Sequence, residues 1–171
     1  MVDKQQRVFL LTGANKGIGL EIVKKLNVKQ PDDIILLGSR DQQRGKAVLK
    51  QLGSPKNVKV LLDTSSLDSI QKAKQEIQQK YDDHLGTLIN NAGIFQFSLD
   101  SKPSKETTNT NFEGVTRMNE TFFPLIKDNG RVVSVSSELR AIQMNGCSNE
   151  LKKEFRNPNL TKVQLDDLLK P

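Results

Sequence analysis

Apolar runs of strand length alternate with segments of helical period along most of this chain, and that alternation restricts its folds more than any other feature. Residues 7–12, rich in Val, Phe and Leu, stop at Gly13 as a strand does. From 17 to about 27, Ile18, Ile22, Val23 and Leu26 recur at helical spacing, and Pro31-Asp32-Asp33 punctuates the chain before a second strand at 34–37. The pattern then repeats: a helix at 41–52 ended by Gly53 and Pro55, a strand at 58–62, and a long helix at 66–81 with Ser65 or Ser66 as its N-cap. A fourth strand covers 87–90, and a helical stretch at about 107–127 is closed by Asn129-Gly130. A fifth strand, 131–135, has the pattern of a buried member of a parallel sheet. Parallel neighbours need crossover helices, and those helices cover both faces, so the expected fold class is α/β with a doubly wound parallel sheet. After Ser137 the strand-like runs cease, and two short helices are expected at 148–156 and 161–170. Thr161 and Gln164 have the spacing of a capping box at the start of the second. The expected division is therefore 1–137 and 138–171.

Composition narrows the class. Hydrophobic residues make up 35% and charged residues 27% of 171 positions, as in a globular domain with a core. The longest apolar runs are far too short to span a bilayer, and the N-terminus has no signal-peptide core, so a soluble, unexported protein is expected. Cys147, the only cysteine, allows no intramolecular disulfide, in keeping with a reducing cytosol, and its thiol reads as idle. The net charge of +6 raises the question of nucleic acid. Its cations are scattered beside Glu, Asp or Gln, as at Lys24-Lys25, Lys72 and Lys152-Lys153, and aromatics are too few to form stacking platforms. No nucleic-acid, membrane or metal role is expected.

Two motifs carry chemistry. Thr12-Gly13-Ala14-Asn15-Lys16-Gly17-Ile18-Gly19 joins the first strand to the first helix, where glycines let backbone amides and the helix N-terminus approach a pyrophosphate. Asn90-Asn91-Ala92-Gly93 ends the fourth strand, on the sheet edge where open α/β folds bind ligands. After the second strand stands Gly38-Ser39-Arg40 rather than an acid for ribose hydroxyls. Arg40 could clamp a 2′-phosphate with two hydrogen bonds, although Asp41 is an alternative partner for it. NADP(H) is favoured over NAD(H).

Together these motifs resemble those of the short-chain dehydrogenase/reductase family, with a Rossmann-like fold. Leu62-Asp63, Thr110-Asn111-Phe112-Glu113-Gly114 and Gly130-Arg131-Val132-Val133-Ser134-Val135-Ser136-Ser137 add further matches in the expected order. Residues 148–156 and 164–168 resemble the helical insertion of cytosolic NADPH-dependent carbonyl reductases, and Asn15-Lys16 and Arg40-Asp41 resemble the same group. The resemblance implies a cofactor site of Gly13, Asn15, Lys16, Gly17, Ile18, Gly19, Arg40, Asp63, Asn90, Asn91, Ala92 and Gly93. In it Lys16 reaches the 2′-phosphate, and Asp63 either accepts from the adenine amine or caps a helix toward Ser65 and Ser66. The implied reaction is hydride transfer from NADPH to a ketone, aldehyde or quinone in the cytoplasm.

In that scheme Ser137 holds the substrate carbonyl and Asn111 helps hold a water on a proton relay, while a Tyr acts as general acid beside a Lys that lowers its pKa. Tyr81 is the only tyrosine; Asp82-Asp83-His84-Leu85 follows it, and it precedes Ser137, so it does not match the acid and reads as a packed helix end. His84 lies in an acidic turn and is not expected to serve. The expectation is a truncated carbonyl reductase, inactive as 171 residues, with a non-catalytic NADPH-binding or interaction module as the alternative. The resemblance implies a monomer for a complete chain, and an exposed sheet edge would allow self-association of a truncated one. Ile94, Phe95 and Phe97 wall a substrate pocket or pack in the core.

Overall fold

The structure, a computed structural model, describes residues 6–60, 66–81, 85–95, 105–138 and 144–169. Five parallel strands form one sheet: β1 (Val8–Leu11), β2 (Ile34–Leu37), β3 (Val58–Val60), β4 (Leu85–Asn90) and β5 (Ile126–Ser134), in the order β3-β2-β1-β4-β5. The chain builds outward from β1 to β3, then crosses back to lay β4 on the other side of β1. The crevice for a ligand opens at that reversal, above the C-terminal ends of β1 and β4.

Strand alternation sends successive side chains to opposite faces, and each face is covered by different helices. On one face Val8, Leu10, Leu36 and Leu88 pack with Ile70, Ala73, Ile77 and Tyr81 of α3 (Leu67–Tyr81) and with Met118 and Phe122 of α5 (Gly114–Phe122). On the other, Leu11, Ile35, Leu37 and Ile89 pack with Val23 of α1 (Gly17–Lys29) and Val48 of α2 (Gln42–Gln51). The wholly apolar β1 and β2, covered by helices on both faces of the sheet, bear out the expected doubly wound fold. At its lower end Asp33, buried, accepts from the Arg7 backbone N–H at 2.8 Å and Nε at 3.0 Å, which ties the starts of β1 and β2 together.

Local signals set most helix ends. The Asp41 carboxylate accepts from the Gln43 and Arg44 N–H groups at 2.9 and 3.1 Å and starts α2. The Ser66 hydroxyl accepts from Ser69 N–H at 3.3 Å at the start of α3. Before α5 come α4 (Lys105–Thr108) and a π-helical turn, Asn109–Glu113. The expected helix to 127 stops earlier: Phe123–Leu125 tightens into a 3-10 turn around Pro124, which has no N–H to continue the ladder.

Strand β5 departs from expectation twice. It starts at Ile126, and residues 127–130 bulge out opposite Gly86, with Asn129 at φ 65°, before regular pairing resumes at Thr87 with Arg131. The valines in it and just after it are also not buried: Val132, Val133 and Val135 are 37%, 43% and 43% exposed. The apolar pattern matched that of the inner strands, but among the described residues β5 is an edge strand whose only sheet neighbour is β4.

The chain divides into two compact units, the second of which includes the residues from Ser136 onward. In it lie α6 (Asn149–Phe155), capped by Ser148, and α7 (Lys162–Leu168). The Thr161 hydroxyl accepts from Gln164 N–H at 3.3 Å while the Gln164 side chain accepts from Thr161 N–H at 2.9 Å, completing the expected capping box. No helix among the described residues is long and apolar enough to cross a membrane.

Candidate functional site

The two glycine-bearing motifs interlock at the top of β1 and β4. Thr12, buried at the end of β1, uses its hydroxyl oxygen to accept from both Asn91 N–H and Ala92 N–H at 2.9 Å. In return Asn91 Nδ2 donates to the carbonyls of Thr12 at 3.0 Å and Gly13 at 3.1 Å. These bonds bring the backbones too close for side chains. A Cβ on Gly13 would lie 2.7 Å from Ala92 Cα, and one on Gly19 would lie 2.5 Å from both Asn91 Nδ2 and the Gly13 carbonyl. Gly17 differs, because its φ of 55° faces open space, so its glycine serves the turn and leaves room above it.

That room is a cleft of about 440 Å³ lined by Gly13, Asn15, Lys16, Gly17, Ile18 and Gly19 from the first motif and by Asn91, Ala92, Gly93 and Ile94 from the second. Arg40, Asp41, Arg44 and Thr110 complete the lining. At its floor lies the N-terminus of α1, where Lys16 occupies the capping position without a side-chain cap and the first turn carries no acid. The end of the helix therefore presents unclaimed N–H donors and the positive end of its dipole. With three cations at the rim, the arrangement suits an extended polyanion. Asp41, the acid in the lining, is committed: its carboxylate caps α2 and pairs with Arg44 Nε at 3.2 Å. Arg40 makes no ion pair among the described residues and is exposed at the cleft.

The expected site residues thus separate. Ten of them line the cleft: Gly13, Asn15, Lys16, Gly17, Ile18, Gly19, Arg40, Asn91, Ala92 and Gly93. Asn90 does not. Buried one position earlier on β4, it turns to the opposite face, where its Nδ2 donates to Asn119 Oδ1 of α5 at 2.8 Å. Asp63, His84 and Phe97 lie outside the described residues. Asn111, in the π-helical turn, is not in the lining either. It accepts from Ile94 N–H and donates to the Ile94 carbonyl, both at 2.8 Å, so it fixes the loop that follows β4. Ser137 belongs to the second unit, whereas the cleft is built from the first unit alone.

Arg44 is the functional candidate that sequence reasoning missed. The signal was available: three residues after the N-cap Asp41, a side chain stands on the first turn of α2 beside that cap. Tyr81 sits in the core, 7% exposed, and burial foremost, with nearby Glu76 adding to it, raises its phenol above the usual value. It is a packing residue.

A family model for short chain dehydrogenase matches residues 7–149. The chain belongs to that family. Within the family it is similar to carbonyl reductase (NADPH) 1 of Rattus norvegicus, at 38% identity over 98% of this chain and 62% of the relative. It matches carbonyl reductase (NADPH) 1 of Homo sapiens at 38% over 95% and 60% of the two chains. The short-chain dehydrogenase chain described here thus spans about 60% of the length of those relatives. The solved structure of salutaridine reductase from Papaver somniferum shares the fold with a TM-score of 0.81 and 25% identity, covering 96% of this chain and 68% of that one.

Proposed function

We propose that this chain binds NADPH and belongs to a carbonyl reductase, the whole protein reducing ketones, aldehydes or quinones. The observation that carries the reading is one cleft lining that combines the uncapped N-terminus of α1 with Lys16, Arg40 and Arg44. The pyrophosphate would lie over Gly17, in the space its missing side chain leaves open. The adenosine half would extend past β2, where Arg40 and Arg44 meet its 2′-phosphate. An Arg fork gives two parallel hydrogen bonds to phosphate, and the one nearby acid is already taken by the α2 cap and by Arg44, which argues against a ribose hydroxyl pair and so against NADH. The nicotinamide half would run the other way, across β1 toward Ala92, Gly93 and Ile94. The names of the carbonyl reductase relatives support the same cofactor.

When bound, NADPH supplies the hydride. The chain's own residues orient it: Thr12 and Asn91 hold the floor rigid, and Asn111 holds the Ile94 backbone in place. By the family resemblance Ser137 would hold the substrate oxygen. The acid and its Lys have no counterpart within these 171 residues, since no tyrosine follows Ser137 and Tyr81 is buried. We therefore propose that these residues alone bind NADPH without turnover.

The test is a fluorescence titration of the 171-residue protein with NADPH and with NADH, followed by NADPH consumption with a simple quinone. NADPH binding tighter than NADH binding, with no turnover, is the expected result. No binding at millimolar NADPH overturns the cofactor reading, and turnover on the order of 1 per second or faster overturns the inactivity.

A further inference from the structure

The π-helical turn at Asn109–Glu113 holds one more residue per turn than an α-helix and leaves a weaker backbone ladder, so it persists only where its surroundings hold it. Its own closing bond runs from Gly114 N–H to the Asn109 carbonyl. A second brace crosses it on the side-chain level. Arg117, one turn into α5, donates from Nη1 to Asn109 Oδ1 at 2.8 Å and places Nη2 at 3.8 Å from Glu113 Oε2. One half-buried guanidinium thus spans the first and last residues of the turn. Between them stands Asn111, whose amide forms the paired bonds to the Ile94 backbone. Ile94, Gly93 and Thr110 line the β4 side of the cleft.

We infer that Arg117 is a positioning residue for the nicotinamide half of the cofactor, acting through the π-helical turn and Asn111 on the Ile94 loop. The inference rests on the NADPH reading above and assigns this arm of the cleft a support that the adenosine arm does not share. The adenosine arm stands on β2 and the start of α2, whereas the nicotinamide arm stands on β4 and the helical stretch that Arg117 braces. Loss of the guanidinium removes a charge-assisted bond to Asn109 and lets the turn revert toward α-helical spacing, which moves Asn111 off Ile94. Lysine cannot span both ends, because its ammonium is a single point charge without the planar fork.

The test uses two ligands on the 171-residue protein: NADPH, which occupies both arms, and adenosine 2′,5′-bisphosphate, which occupies only the adenosine arm. Arg117→Met should weaken NADPH about tenfold and leave the bisphosphate within about twofold, the scale of one charge-assisted hydrogen bond. Asn109→Ser, which keeps the arginine and exchanges its carboxamide acceptor for a hydroxyl one atom shorter, should reproduce the split, and Arg117→Lys should fall between Arg117→Met and wild type. A purely structural role for Arg117 would weaken both ligands together, and that result overturns the inference, as does unchanged NADPH affinity in both Arg117→Met and Asn109→Ser. If Arg117→Met does not fold, Asn109→Ser decides alone. Wild-type protein that binds neither ligand refutes the cofactor reading first, and this inference with it.

Discussion

Gly19→Ala sets two effects of opposite sign against each other. Gly19 is the third residue of α1, and replacing a helical glycine by alanine ordinarily stabilises by up to about 1 kcal/mol. Here the added carbon would lie 2.5 Å from Asn91 Nδ2, 2.5 Å from the Gly13 carbonyl and 3.0 Å from Ala14 Cα, where ordinary contact begins at 3.4 Å. Two of those neighbours are backbone in a turn that Ala14 N–H pins to the Gly38 carbonyl at 2.9 Å, so the Asn91 amide must yield. Its displacement breaks the bonds to Thr12 and Gly13, each worth about 1 kcal/mol, on top of about 1–3 kcal/mol of overpacking. The clash wins, and the variant should lose about 2–4 kcal/mol in urea unfolding. Gly53→Ala supplies the control: its φ is 78° with nothing within 4 Å, so it carries only the conformational cost of about 1–2 kcal/mol. A Gly19→Ala urea midpoint at or above wild type would refute the claim that the two motifs interlock sterically.

Thr12→Val keeps the shape and removes the acceptor of two N–H groups, so urea unfolding should show a loss of about 2–4 kcal/mol, and a loss under 1 kcal/mol would argue against the bonding described. Arg40→Ala should weaken NADPH about 10- to 100-fold while NADH stays within about twofold; equal losses for both would show that Arg40 does not meet the 2′-phosphate. For Tyr81, whose folded-state pKa is raised above 10.0, the unfolded chain releases its phenol proton first as pH rises. The unfolded state then binds fewer protons than the native one, and stability falls as pH climbs from about 10 toward the folded value. Tyr81→Phe should remove that part of the slope, seen as a shallower stability decline than wild type between pH 9 and 11; identical slopes would contradict the raised pKa.

What could be read from the chain and what could not follows the reach of each interaction. The Ser66 cap and the Thr161–Gln164 box involve groups within three residues, so spacing alone revealed them, whereas the Asp41 cap, just as local, was read as the first residue of its helix. The inner strands showed their burial because both faces demand apolar side chains. β5 carries the same pattern, yet its exposure depends on which strands and helices lie beside it, and no local rule encodes that. Asn90 and Asn91 are adjacent and were grouped by motif, but strand alternation sends one to Asn119 and the other to the cleft floor. The Asn111–Ile94 pair joins residues 17 apart through the π-helical turn, a feature that periodicity at 3.6 residues does not detect. Arg44 faces the cleft only because α2 begins there.

The Thr12–Asn91 contacts span 79 residues of sequence. Closing a loop of that length costs entropy that the local β1–α1–β2 contacts do not, so the nucleotide cleft is expected to form after that unit as the chain folds. A nascent chain that has exposed only β1, α1 and β2 already contains every glycine of the first motif, yet has no floor for the cleft until β4 arrives. Cofactor capture during synthesis would therefore mark the docking of β4 beside β1, and NADPH added to a refolding reaction would act on the final steps and on the finished native state.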